Sequence, residues 1–340
     1  MKVFVTGWAG YIGVHLVELL KKAGHQVTGC DLELFEGCDN ADITRPDKEV
    51  RSDVRSLTTD DLSGHDCVMH LAAISNDPMG ALRPELTLSV NRDGTEHVAR
   101  CAKKAGIPRF LFSSSCSIYG KSADGAIDEN GTLSPLSAYA QSKVESEKIL
   151  SALADKTFCP VYLRNATAYG YSPMFRTDLV VNNLVGTALA YGEIRVQSDG
   201  TPWRPLAHCR DIARAFIAIM EAPTEKVFNT AINIGGNSEN YQVLDIANTV
   251  GLALPSTQIV FAGEAAPDPR DYKVNFDLLG KLLPEFTLEY NLQLGVQELV
   301  SELEAIGFNK EDFSSEKYVR LRTLNTRMKQ FFPEEMKAAI

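Results

Sequence analysis

The sequence predicts an α/β fold: a doubly wound parallel sheet with a smaller C-terminal region interleaved with it. Three observations predict it. Short β-branched runs alternate with amphipathic helical stretches through the first half, and a glycine triplet sits between the first strand and the first helix. After about residue 170 the alternation loosens as Pro and Gly become frequent. The 340 residues are 44% apolar and 23% charged, enough for one large or two modest domains and too apolar for disorder. A net charge of −10 argues against a polyanionic partner such as nucleic acid. No segment approaches about 18 consecutive apolar residues, and the first residues carry no signal-peptide pattern. Seven scattered cysteines (Cys30, Cys38, Cys67, Cys101, Cys116, Cys159, Cys209) without a CxxC pair fit a reducing cytoplasm better than a disulfide framework or a zinc site.

Each element has its own signal. Residues 2–5 form an apolar run bounded by Gly7. Residues 12–23 place apolar side chains at helical spacing, and Gly24 is set to end that helix. Strands are predicted over 26–30, 67–71, 109–112 and 161–164, with helices over 85–105 and 135–154. This rhythm means βαβ units, hence a parallel sheet of Rossmann type covered on both faces. Beyond residue 170, helices over 178–191, 211–222, 241–251 and 295–306 are expected, separated by long loops. Residues 308–340 read as charged, helical and wrapped on the surface. The division expected is 1–170 for a cofactor-binding domain and 171–340 for a mainly substrate-binding region, some of whose segments return to the first.

The chemistry starts at the first turn. Thr6-Gly7-Trp8-Ala9-Gly10-Tyr11-Ile12-Gly13 spaces three glycines so that a pyrophosphate can approach main-chain N–H groups at a helix N-terminus. Asp31 follows 24 residues after Gly7, at the end of the second strand. An acid there accepts from an adenosine ribose and repels a 2′-phosphate, which favours NAD over NADP. A second constellation is Tyr139 and Lys143, which share a helix face at i and i+4. A phenol titrates near 10 and is a poor base at neutral pH; a neighbouring ammonium favours its ionised form. Upstream, Ser113-Ser114-Ser115-Cys116-Ser117 lies at the carboxyl end of a predicted strand, the edge where open α/β sheets bind ligands. Arg204 and Arg270 are candidate phosphate ligands, since a guanidinium fork matches phosphate oxygens. His70 and His208 read as structural, because no second ligand sits at metal spacing around either. No metal is expected.

Taken together, these stretches resemble an extended short-chain dehydrogenase/reductase of the nucleotide-sugar epimerase/dehydratase family. The resemblance covers nearly the whole chain. It implies that Gly7, Gly10, Tyr11, Ile12 and Gly13 form the NAD turn, with Asp31 at the ribose. It sets Asp53 and Val54 at the adenine, Leu71, Ala72 and Ala73 beneath the cofactor, and Asn91 in a helix-region motif of the family. Ser115, Tyr139 and Lys143 fall on the catalytic triad. Tyr139 would exchange a proton with a sugar hydroxyl, normally at C4, while Lys143 holds the nicotinamide ribose and Ser115 steadies the reacting oxygen. Residues 203–211 and 269–271 resemble segments that hold a nucleotide diphosphate. Ser75, Thr167, Arg176 and Asn183 join Ser115, Arg204 and Arg270 as expected substrate contacts. A homodimer through the helices at 85–105 and 135–154 is also implied.

Departures from the family narrow the reading. Trp8 replaces a small residue, tolerable if its side chain points outward. Cys116 and Ser117 stand where dehydratases carry an acidic pair and decarboxylating members a glutamate, which disfavours both reactions. Thr167 replaces a substrate-binding Asn. Residues 172–183 resemble a subgroup acting on C4. The leading expectation is an NAD-dependent nucleotide-sugar 4-epimerase. The alternatives are a net C4 dehydrogenase or 4-keto reductase, then a 4,6-dehydratase, and last a non-catalytic NAD-binding sensor.

Overall fold

The computed structural model describes residues 1–75, 77–261 and 270–333, with the backbone alone at 77, 79 and 122–124. Its centre is a seven-stranded parallel sheet. The strands are β1 (Lys2–Thr6), β2 (Gln26–Asp31), β3 (Lys48–Arg51), β4 (Cys67–His70), β5 (Arg109–Ser115), β6 (Cys159–Asn165) and β7 (Thr230–Ile234). They lie in the order β3-β2-β1-β4-β5-β6-β7. The chain winds outward from β1 in one direction and resumes from β4 in the other. A Rossmann-type sheet opens a crevice between such strands at their carboxyl ends.

Strand pleating sorts the side chains onto two faces. Val3, Val5, Met69, Leu111, Val161 and Leu163 point to one, packing on Leu16 and Leu20 of α1 (Gly13–Lys22) and on Ile212 and Phe216 of a later helix. Phe4, Val68, Phe110, Phe112 and Tyr162 point to the other, against Val98 and Ala99 of α2 (Gly94–Lys104) and Leu150 of α3 (Ala138–Leu153). The later helix, α4 (Cys209–Glu221), lies beside α1. It and β7 come from beyond residue 170, so the C-terminal half contributes to both the sheet and its cover.

The rest of the C-terminal half has a core of its own, including Tyr169, Phe175, Val185, Leu206, Ile246 and Leu299. The long loops expected there are largely short strands. Trp203–His208 pairs with Thr167–Tyr169 and Asn240–Gln242; Glu193–Val196 pairs with Gln258–Phe261; Asp271–Val274 pairs with Lys121–Ile127. These runs have three to seven residues and partners far away in the chain. Their pairing is a tertiary fact that no local pattern carries.

Two other expectations are corrected. The stretch at 85–105 is not one helix: Pro84–Leu88 is α-helical, Ser89–Asp93 is a π turn, and α2 follows. Residues beyond 308 are not simply a surface wrap. Arg320, Leu324 and Met328 of α5 (Arg320–Phe331), and Phe332 after it, are buried against Ile74, Leu86 and Val90 or the loop after β2. Residues 334–340 of that expectation lie outside the described residues. Among the described residues no helix is long and apolar enough to cross a membrane.

Candidate active site

The carboxyl edge of the sheet opens into a cleft of about 790 Å³, within the range of small-molecule and cofactor sites. Its floor is the turn after β1. Gly7 adopts φ +75°, and a Cβ there would stand 2.7 Å from the Ala72 nitrogen at the end of β4. A Cβ on Gly13 would stand 2.2 Å from the Gly7 carbonyl oxygen. These contacts are to main chain, so only glycine permits the turn to fold this tightly. No side chain caps the first turn of α1, leaving a helix start that an anion can cap.

Trp8 does not point outward. It is 2% exposed and packs in the core, its ring in the space that a Cβ on Gly29 would need. The missing side chain at Gly29 accommodates the large residue at position 8.

Asp31 ends β2 at the cleft. One carboxylate oxygen accepts from Ala9 N at 3.2 Å and the other from Glu33 N at 2.7 Å. Burial raises its pKa, against the pull of those two N–H groups. Tyr11, Ile12, Val54, Leu71, Ala72 and Ala73 also line the cleft, as do Gly10 and Asp53. Asp53 caps the turn after it and is held by Arg55 through its main-chain N at 2.8 Å and its guanidinium. The structure does not bring Asn91 to the cleft. Its amide spans Ile74, accepting from Ile74 N and donating to Ile74 O, and also reaches Ser142, so it braces the wall from behind.

Tyr139, Lys143 and Ser115 all line the same cleft. Helix α3 starts at the Ser137 cap, whose hydroxyl accepts from Ala140 N, and this sets Tyr139 in the first turn. Lys143 Nζ lies 5.4 Å from the Tyr139 ring centre and donates to Ser113 O at 2.6 Å. Burial lowers the Lys143 pKa to about 7, although the nearby Glu147 carboxylate pushes it upward. Ser115 Oγ accepts from Ser117 N and so ends β5 in a turn. Ser114 is committed elsewhere, donating to Glu147, which Arg164 clasps from the other side. Two polar atoms in this stretch, Ser117 Oγ and Asn165 Oδ1, are buried with no partner, and both residues line the cleft.

The far wall carries the arginines. Arg176 is bidentate to Asp178, at 2.9 and 2.8 Å, and donates to Ser75 Oγ at 3.0 Å. Arg204 is buried and donates to the carbonyls of Trp203 and Arg270. Arg270 and Thr167 line the cleft, as does Asn183, whose amide donates to Thr177 O at 2.8 Å. Pro269 lies outside the described residues. His70 and His208 sit away from the chemistry: His70 lies between Thr6 and Thr95, and His208 is 2.6 Å from Glu298. Among the described residues no three His, Cys, Asp or Glu side chains are grouped to hold a metal.

Sequence reasoning missed much of the rest of the lining, including three segments. Arg195, Gln197 and Ser198 come from the strand and turn after Tyr191. Leu32–Phe35 follow Asp31. Arg320, Leu324 and Phe332 come from the C-terminal segment. Only the nearness of 32–35 to Asp31 could have been read from the chain.

Residues 3–235 match the model of the NAD dependent epimerase/dehydratase family. The chain belongs to that family. It is an NAD-dependent enzyme of the extended short-chain dehydrogenase/reductase type, and the glycine cradle and Asp31 fit that cofactor. It is 30% identical over 264 residues to an uncharacterized UDP-glucose epimerase of Bacillus subtilis, covering 74% of this chain and 81% of the relative. It is 25% identical over 322 residues to UDP-glucuronic acid decarboxylase 1 of Danio rerio, covering 89% and 73%. The solved structure of MoeE5 with UDP-glucuronic acid and NAD superposes with a TM-score of 0.77 at 27% identity, covering 90% of this chain and 99% of that one.

Proposed function

We propose that this enzyme is a nucleotide-sugar 4-epimerase working through a transient 4-keto sugar. The observation that carries the reading is that Tyr139, with Lys143 beside its ring, and Ser115 line the cleft floored by the glycine turn. Bound NAD would supply reversible hydride chemistry at C4 of the sugar. Tyr139 accepts the proton of the C4 hydroxyl and later gives it back. Lys143, one helical turn along, favours the ionised phenol whenever it carries its proton, and Ser115 donates to the reacting oxygen. Net redox is zero. Gly7, Gly10, Tyr11, Ile12 and Gly13 hold the NAD diphosphate, Asp31 the ribose, and Asp53 and Val54 the adenine. Leu71, Ala72 and Ala73 lie beneath the dinucleotide, and Asn91 supports that wall indirectly. Arg204 and Arg270 take the substrate diphosphate. Ser75, Thr167, Arg176 and Asn183 shape the sugar pocket. Residues 1–170 thus act mainly on the cofactor and 171–340 mainly on the substrate, in a cytoplasmic homodimer that pairs through α2 and α3.

Elimination of water finds no support at Cys116 and Ser117. The Cys116 thiol is buried, donates to Arg164 O, and is pushed upward in pKa by burial. Neither side chain is an acid for a departing hydroxyl. A panel of UDP-, GDP-, dTDP- and CDP-sugars, followed at once by NADH absorbance and by chromatography of the sugar product, tests the reading. An epimer without NADH release is expected. Steady NADH release would identify a net C4 dehydrogenase, and loss of CO2 from a uronic acid would identify a decarboxylase.

A further inference from the structure

We propose that the C-terminal helix α5 is a clasp for the dinucleotide: Arg320 offers a cation to its diphosphate from the side opposite the glycine turn, and Leu324 with Phe332 closes the adenosine end. Arg320 is 3% exposed. Its Nη2 donates to Met174 O at 2.8 Å and its guanidinium stacks on Phe35 at 4.2 Å, but Nη1 is buried without any partner. Arg320 lines the cleft that holds Gly7–Gly13 and Asp31. An orphaned donor on a permanent cation is costly in a closed protein and useful beside an anion. A neighbouring cation makes the need sharper. Burial, with the opposing charge of Arg176 second, lowers the Arg320 pKa to about 10 despite the acids Asp178 and Asp31.

Several contacts choose the dinucleotide over the substrate diphosphate as the anion. Asp31 ends β2 and Phe35 belongs to the loop after it, on the adenosine side, whereas Arg204 and Arg270 stand on the other wall. The segment is tied to the adenosine side along its length. Arg327 Nη1 donates to Leu34 O and Glu36 O, both at 2.9 Å, and Arg55, next to Asp53, lies 5.6 Å over the Phe332 ring. Its start is tied to the substrate side, where Tyr318 O accepts from Thr177 N. The C-terminal segment therefore crosses the cleft from one wall to the other. The inference rests on the NAD site and not on the 4-epimerase reading, because NAD occupancy is measurable whatever the reaction.

The test uses the full chain stripped of NAD and reloaded. R320Q is expected to release NAD about ten- to hundredfold faster than the unaltered chain, the range for losing a charge-assisted hydrogen bond, with R320K in between. UDP affinity should stay within twofold. Hydrogen exchange across 320–331 of the unaltered chain should slow on adding NAD and not on adding UDP, a readout that stands even where R320Q does not fold. Unchanged NAD release from a folded R320Q, a loss of UDP affinity in its place, or exchange indifferent to NAD would each overturn the proposal.

Discussion

The two walls of the cleft are built from different materials. On the cofactor side the wall is built around main chain at Gly7 and Gly13, held by contacts too close for any Cβ. From Thr167 to Arg270 it is side chain, and its guanidinium groups already have partners within the protein: Asp178 and Ser75 for Arg176, two carbonyls for Arg204. A main-chain wall has one shape and suits an invariant ligand such as a dinucleotide. A side-chain wall can be re-cut residue by residue, which is where relatives on one fold come to differ in substrate. Tyr139 lines the cleft that both walls enclose, and substitutions on either side should separate their functions.

The largest effect is expected at the junction. Y139F removes the proton acceptor while keeping the ring that faces Lys143. Turnover should fall about 10²- to 10⁴-fold, with NAD content unchanged by chromatography of the denatured protein. Full turnover in this variant would remove the phenol from the mechanism.

Next in size is a break in the main-chain wall. G13A places a Cβ 2.2 Å from Gly7 O and 2.6 Å from Trp8 O, and neither carbonyl can move without opening the turn. A loss of about 3 kcal/mol in stability is expected, with little NAD retained. Chemical denaturation and NAD content check both. A mild outcome at Gly13 would mean that this wall is as adjustable as the other.

The same contrast explains what could be read from the chain. Gly7, Gly10, Gly13 and Asp31 act through spacing along one βαβ unit, so their placement was legible, as was the helix that carries Tyr139 and Lys143. The strand Trp203–His208 was not, because it exists only through partners at Thr167–Tyr169 and Asn240–Gln242. Trp8 was misjudged because its space is vacated by Gly29, on a neighbouring strand. Arg320 carried no signal at all, since a cation in a charged C-terminal segment is ordinarily solvated.

A smaller effect is expected on the side-chain wall. R204Q should raise KM for the nucleotide sugar about ten- to hundredfold, the range for one charge-assisted bond, leaving kcat and NAD content near those of the unaltered enzyme. A drop in kcat with KM unchanged would place Arg204 with the reacting atoms and blur the division between the walls.

The smallest effect is a slope, and it separates the walls by their response to pH. On the substrate wall, burial works against the Arg176 charge but the Asp178 carboxylate outweighs it and holds the guanidinium above its ordinary range, so that wall keeps this charge across the working range. Lys143 does not: burial lowers its pKa from 10.5 to about 7. Between those values the unfolded chain binds a proton at this position that the folded chain lacks, so stability of the NAD-free protein rises with pH across about 7 to 10.5 and the increment disappears as pH falls through 7. K143M abolishes the difference, and its denaturation midpoint should change less over that window than that of the unaltered chain. Glu147 works in the opposite sense, since its carboxylate favours the protonated lysine. E147Q should therefore extend the slope downward, steepening it near pH 7 and below, if Arg164, which would lose its buried counter-ion, holds its position. Equal slopes in K143M and the unaltered chain would mean that the ammonium is solvated and charged in the empty site, and the junction between the walls would then be wetter than its burial implies.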